Sequence, residues 1–304
     1  MPDAEPITLR RGTPDDGLAT YRILFAAINE LAPRIGADPI PGEVEESYER
    51  IAPLFRHLAQ TASDFWVAED ANGEVVGYAR SIEHDGFLEL TEFFVHPDHQ
   101  SAGIGRQLLE RAFAPGRGEL RVIVATTDVR ALTRYAKAGM TARTVIASLV
   151  GTPVAPQAAA EPALGVERVG ASVGALAELG ELDREIAGFD RAADLPWLAE
   201  AREALLFRRG GRAVGYAFVH FRGVGPVGAS EPADLPAILD EVLRRSVELG
   251  VETISFEVPM SNGSALRHLL ERGLRIDPFL TILLSNREFG QMDRYLAYSP
   301  PIFL

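Results

Sequence analysis

The feature that most constrains the fold is repetition. Val76-Gly77-Tyr78-Ala79 recurs as Val214-Gly215-Tyr216-Ala217, and Asp128, Ala131, Tyr135 and Gly139 line up with Asn262, Ala265, Leu269 and Gly273 at one constant offset. The apolar run Leu120–Ala125 corresponds to Val251–Val258, and Val145–Leu149 to Leu280–Leu284. Self-similarity of this kind marks one structural unit present twice. A chain of 304 residues, 47% of them hydrophobic, is long enough to bury two such cores.

In the first copy, Phe87 to Val95 (FLELTEFFV) is apolar and aromatic enough to be a buried strand. Gln107–Phe113 has helical spacing, with Leu108, Leu109 and Ala112 on one side. Between them lies Val95-His96-Pro97-Asp98-His99-Gln100-Ser101-Ala102-Gly103-Ile104-Gly105-Arg106. A strand that passes through a glycine-bearing turn into a helix aims several backbone N–H groups and the positive helix end at one spot. Such a spot binds phosphate. Gly103 and Gly105 lack the Cβ atoms that would hold a pyrophosphate off the main chain. Pro97 has no N–H to lose and suits a strand exit.

Around this stretch the chain alternates strands and helices. Ile7–Arg10 is a short first strand, and Thr13-Pro14-Asp15-Asp16 signals a helix start. Ala32 to Gly42, with three prolines, is a loop, and a second helix over about Val44 to Ala59 is expected to kink or split at Pro53. Strands follow at Asp64–Glu69 and Val75–Ile82, joined by the turn Asp70-Ala71-Asn72-Gly73. Beyond the loop's helix, Leu120–Ala125 is a strand, Asp128 a helix cap and Gly139 a helix end. Gly151 to Pro162 is rich in Ala and Pro and reads as a linker. The expected domains are therefore 1–152 and 164–304, with a linker at 153–163.

Val-x-Pro-x-x-Gln-x-x-Gly-x-Gly before an amphipathic helix resembles the acyl-CoA-binding loop of the GNAT superfamily of N-acetyltransferases. The family's second signature, Asn-x-x-Ala-x-x-x-Tyr-x-Lys-x-Gly-Phe, is matched at Ala131, Tyr135, Lys137 and Gly139, with Asp128 for the Asn and Met140 for the Phe. The resemblance implies an α/β (α+β) architecture of two tandem GNAT folds, each a mixed, mostly antiparallel central sheet flanked by helices. It implies an acyltransferase that moves an acetyl group from acetyl-CoA to a primary amine by direct transfer in a ternary complex. Gln100, Ser101, Ala102, Gly103, Ile104, Gly105 and Arg106 would hold the pyrophosphate, with Asp128 also at the cofactor. The backbone of Phe94 and Val95 would pair with the pantetheine arm, and the Val95 N–H would polarise the thioester carbonyl. Tyr135 would protonate the departing thiolate. A rival reading is a non-catalytic acyl-CoA-binding regulatory protein; a third is transfer of a longer acyl or an aminoacyl group.

The amine must lose a proton, which a carboxylate can take directly or through water. Glu92 on the incoming strand is the first choice and Glu89 the second. Strand alternation puts them on opposite faces unless a bulge intervenes, so at most one should face the cleft. The structural alternatives are a solvated strand residue for either glutamate and a core aromatic for Tyr135.

The second copy departs from the pattern. After the strand near Val224 it reads Gly225-Pro226-Val227-Gly228-Ala229-Ser230-Glu231-Pro232-Ala233-Asp234, without the Gln-x-x-Gly-x-Gly motif. Glu231 and Asp234 would repel a pyrophosphate, and Leu269 stands where the first copy has Tyr135. This half is expected to be a degenerate copy that shapes the acceptor site or supports the fold. The apolar C-terminal run from Tyr295 to Leu304 is expected to dock by packing against the fold; lining the acceptor pocket or a dimer seam is the alternative.

Composition narrows the rest. The sequence has no cysteine, which removes disulfides, thiolate metal sites and an acyl-cysteine intermediate. The six histidines form no ligand set, and no metal is expected. A net charge of −13 argues against nucleic acid and either favours cationic or amine partners or serves only solubility; the small-molecule or peptide amine acceptor is what the resemblance implies. No apolar run reaches the roughly 20 residues that span a bilayer, so no membrane partner is expected, and the location is expected to be cytoplasmic. A homodimer is a further possibility.

Overall fold

A computed structural model describes residues 7–100, 103–156, 164–220 and 223–301. It divides into two compact units, one up to Ile123 with Asp128–Thr141, the other Val124–Thr127 with Ala142 onward. Ser101, Ala102, the second half of the expected linker and residues 302–304 lie outside the described residues. Among the described residues no helix is long and apolar enough to cross a membrane.

Unit 1 runs β1 (Thr8–Arg11), α1 (Gly17–Leu31), α2 (Val44–Thr61), β2 (Asp64–Glu69), β3 (Val75–His84), β4 (Phe87–Val95), α3 (Ile104–Ala112), β5 (Leu120–Thr126) as far as Ile123, and α4 (Val129–Lys137). Its strands lie in the order β1-β2-β3-β4-β5. All neighbours are antiparallel except β4 and β5, which pair parallel from Phe87 opposite Leu120 to Leu90 opposite Ile123. The start of α1 is fixed by Asp16, whose carboxylate accepts from the Thr13 N–H at 2.8 Å and from Arg10 at 2.7 and 2.9 Å. Tyr21 of α1 meets Tyr48 and Phe55 of α2, and this aromatic cluster covers one face of the sheet. α3 covers the other, where Ser81 Oγ donates to the Ala112 carbonyl at 2.7 Å. α2 is not split at Pro53 but runs on to Thr61. The ring removes one ladder bond, but Tyr48 before it packs on Tyr21 and the buried Leu54, Phe55 and Leu58 after it keep the helix in place.

Unit 2 contains β6 (Thr141–Gly151) from its second residue, then β7 (Gly165–Val169), α5 (Val173–Ala187), α6 (Leu195–Ala201), β8 (Glu203–Arg209) and β9 (Arg212–His220). β10 (Gly223–Ala229), α7 (Leu235–Glu248), β11 (Ile254–Pro259), α8 (Gly263–Glu271), β12 (Arg275–Ser285) and β13 (Tyr295–Leu296) complete it. From β7 to β12 the element order repeats that of β1 to β6, as the sequence repeat requires. Strands lie in the orders β12-β6-β11 and β13-β10-β9-β8-β7. The core is mainly aliphatic, with Leu205, Ile238, Leu239 and Leu269 buried in one cluster with Phe207 and Phe256.

Two further sequence expectations differ from what is observed. The boundary expected at residue 152 falls instead near Thr141, because the second half of β6 pairs with β11, from Ile146 opposite Pro259 to Gly151 opposite Ile254. The strand expected to end near Val224 runs through Ala229, because it gains a partner in β13.

Candidate active site at the end of β4

β4 delivers the chain to the glycine loop. The His96 N–H donates to the Val76 carbonyl at 2.8 Å, and a 3₁₀ turn over Pro97–His99 follows. Gly103 then caps α3 in the left-handed region, at φ 80°, where a side chain would be strained. A Cβ on Gly105 would lie 3.1 Å from the Phe93 ring, so the first turn of α3 rests directly on β4. The first amides of a helix have no carbonyl partner within it, and their dipoles add. The backbone at Gly103, Ile104, Gly105 and Arg106 therefore offers donors to an anion just past Val95. The Arg106 side chain points to solvent, 3.6 Å from Glu110.

Gln100 ties this loop to its surroundings. Its Nε2 donates to the Val95 carbonyl at 3.3 Å, and its Oε1 accepts from Arg130 at the start of α4. Arg130 also grips Asp128 at 2.7 Å and stands 3.8 Å from Glu30 of α1. Asp128 caps α4 by accepting from the Arg130 N–H at 2.8 Å. Burial opposes its ionisation, but the side-chain and backbone bonds from Arg130 outweigh that and hold the carboxyl below its ordinary value. Two of the positions expected to contact cofactor, Gln100 and Asp128, are thus joined through one guanidinium.

The two glutamates share a face of β4. Ser81 pairs with Leu90 and Arg80 with Glu92, so Thr91 is an extra residue that bulges the strand. The register then sets Glu89 opposite Ile82 and Glu92 opposite Arg80, both on the side of Tyr78 and Phe94. Plain alternation would have put them on opposite faces; the bulge corrects that expectation. Neither is a solvated strand residue, since Glu89 and Glu92 are both buried. Glu92 Oε1 accepts from the Tyr78 hydroxyl at 2.9 Å, and Oε2 lies 2.7 Å from Arg80 Nη1 without hydrogen-bond alignment. Arg80 also reaches the Phe55 carbonyl at 3.4 Å and lies 4.3 Å over the Phe65 ring. Burial pushes the Glu92 carboxyl up, and the Arg80 charge and the Tyr78 hydroxyl only partly offset this.

Tyr135 approaches β4 from the other side. Its ring packs edge-on against Phe93 at 6.2 Å, on the face that carries α3, and is buried. Burial raises its hydroxyl above the ordinary tyrosine value, so it stays protonated. Base and acid candidates therefore lie on opposite faces of β4. The residues missed from sequence are Tyr78, Arg80 and Arg130. Their signal was present: Tyr78 and Arg80 are two apart on β3 and so share a face, and Arg130 follows the cap residue Asp128 by two.

The counterpart in unit 2 has different chemistry. The buried Asp234 stands at the start of α7, in an ion pair with Arg209. An anion arriving there would meet a carboxylate. Among the described residues no group of three or more His, Cys, Asp and Glu could hold a metal ion.

The profile of the acetyltransferase (GNAT) domain family matches residues 61–139, which run from the end of α2 through α4. Several solved structures are similar over nearly the whole chain. A Pyrococcus horikoshii protein assigned as an acetyltransferase superposes with a TM-score of 0.70 at 18% identity, covering 95% of this chain and 92% of its own. A GCN5-related N-acetyltransferase from Sphaerobacter thermophilus gives 0.61 at 19%, covering 93% and 96%. A tandem GNAT protein from the clavulanic acid biosynthesis pathway gives 0.55 at 16%, covering 92% and 98%. At these identities the likeness establishes the fold: mixed sheets flanked by helices, repeated along the chain.

Proposed function

From the premise that residues 61–139 are a GNAT acetyltransferase domain, we propose that this chain transfers an acetyl group from acetyl-CoA to a primary amine. Transfer is direct, within a ternary complex. The observation that carries this reading is the junction of β4 and α3, where left-handed Gly103 and close-packed Gly105 bare the backbone amides past Val95. A pyrophosphate fits such a cradle. Its pantetheine arm would continue along Phe94 and Val95, where β4 has left β5 behind at Leu90.

In the reaction the amine nitrogen attacks the thioester carbon, the C–N bond forms and the C–S bond breaks. The leaving thiolate takes its proton from Tyr135, whose hydroxyl burial keeps protonated. The amine's proton passes to Glu92 or Glu89, directly or through water. The electrostatic asymmetry suits this, because a carboxyl raised by burial is a stronger base than a free one. The acceptor is a small-molecule or peptide amine, and the N-terminal unit works alone in catalysis.

Calorimetric titration of acetyl-CoA tests the reading. One site per chain is expected, lost on Gly103→Glu, with thiol released when an accepted amine is added. No binding to the unaltered chain would overturn it. One observation favours a second reading, a non-catalytic acyl-CoA-binding regulator: Glu92 is buried, with one oxygen bonded to the Tyr78 hydroxyl and the other beside the Arg80 guanidinium. That reading predicts the same single site with no thiol release for any amine.

A further inference from the structure

The two copies differ in what lies beside the strand that leads to the helix. In unit 1, Tyr78 pairs with Phe94 and Ala79 with Phe93. In unit 2 the equivalent pairs are Tyr216 with Gly228 and Ala217 with Val227. So Val227-Gly228 stands where Phe93-Phe94 stands. On its far side, however, β10 is already paired: Val227 with Leu296 and Gly228 with Tyr295, both in β13. The same segment bridges to β11, the counterpart of β5, through Ala297 opposite Glu257.

Several contacts hold this segment. The Ala229 N–H donates to the Arg294 carbonyl at 3.0 Å, and the Ala297 N–H donates to the Glu257 carbonyl at 2.9 Å. Arg202, buried, donates to the carbonyls of Gly225 and Ser299 and lies 3.7 Å over the Tyr298 ring. A Cβ on Gly225 would sit 2.1 Å from the Ala297 oxygen, so the strand was left bare where the segment crosses it. Most telling is Asn262, which aligns with Asp128 of the first copy. It caps α8 through Ala265 at 3.0 Å and gives its Nδ2 to the Tyr295 carbonyl at 3.3 Å.

We propose that Arg294–Ser299 is a built-in strap that occupies, in unit 2, the slot that unit 1 leaves open beside β4 for an acyl-carrying arm. The strap supplies the peptide groups that an extended amide-bearing ligand would supply, as in strand addition. With Asp234 at the start of α7 and Leu269 in place of Tyr135, the second copy is closed at the arm, the phosphate and the proton donor. It takes up no acyl-CoA, and the chain carries one per molecule. The proposal uses the acetyltransferase reading only to say what the open slot in unit 1 is for.

Hydrogen exchange on the full chain tests it, with acetyl-CoA as the probe. Without ligand, the amides of Ala229 and Ala297 should exchange at least a hundredfold more slowly than an unstructured chain; exchange at the unstructured rate overturns the strap. Saturating acetyl-CoA should slow exchange from Val95 to Gly105 and leave Ala229 and Ala297 unchanged. Slowing across Val224–Ala229, or a second site by calorimetry, would show the slot to be open and the proposal wrong. Gly225→Val in the full chain should speed exchange over Arg294–Ser299 while acetyl-CoA affinity changes less than about twofold; continued slow exchange there would count against it. If acetyl-CoA binds nowhere, the acetyltransferase reading fails, and the ligand-free exchange still decides the strap.

Discussion

Arg80 Nη1 lies 2.7 Å from Glu92 Oε2, with both side chains wholly out of solvent. Two charges in that setting stabilise each other chiefly by preventing the penalty each would incur alone. Removing one should be worse than removing both. Glu92→Leu or Arg80→Met is expected to cost about 3–5 kcal/mol each, and the double variant to recover much of that loss. Urea denaturation of the four proteins measures it; additive losses would mean the residues do not depend on each other.

Tyr135→Phe keeps the ring against Phe93 and removes the hydroxyl alone. If the hydroxyl protonates the thiolate, kcat should fall by about 10²–10⁴-fold with the melting temperature nearly unchanged. An unchanged kcat would reduce Tyr135 to a packing residue. Tyr135→Ala should lose activity and stability together.

Arg130 joins Gln100 and Asp128, and the ligand loop is held through it. Arg130→Ala should raise the Kd for acetyl-CoA by up to about tenfold and spare the fold, since the side chain is half-exposed. Calorimetry checks the affinity and thermal unfolding the stability.

Asp16 gives the clearest pH dependence. Burial disfavours its charge, but Arg10 and the Thr13 amide outweigh burial and hold it below the ordinary 3.8. The unfolded chain then binds the proton first as pH falls, so the stabilisation is present above that value and lost below it. Asp16→Asn should flatten the acid limb of stability against pH and cost about 1–3 kcal/mol at neutral pH. Glu92 has the opposite sign. Its carboxyl is raised, so its contribution falls as pH rises from the ordinary 4.5 through the folded value.

Much of this architecture was written locally. β2 and β4 span the residues expected of them, Asp64–Glu69 and Phe87–Val95, and Gly103 sits at the left-handed cap its position demanded. The repeat announced itself in Val-Gly-Tyr-Ala, and both copies of Gly-Tyr lie buried on the same strand of their unit. What escaped depends on neighbours far away in sequence. The bulge at Thr91 is set by register against β3, since nothing in FLELTEFFV marks an extra residue. Pro53 breaks a helix only when packing does not override it, and Leu54 and Phe55 do override it. The docking of Tyr295 and Leu296 was foreseen as packing, but not the strand it completes, because two residues carry no period.

The pairing of β6 with β11 has a consequence for how such a protein can be taken apart. Its genetic halves and its physical halves do not coincide. A fragment that stops at residue 152 would take β6 with it and strip β11 of its partner from Ile254 to Pro259, baring an adhesive edge.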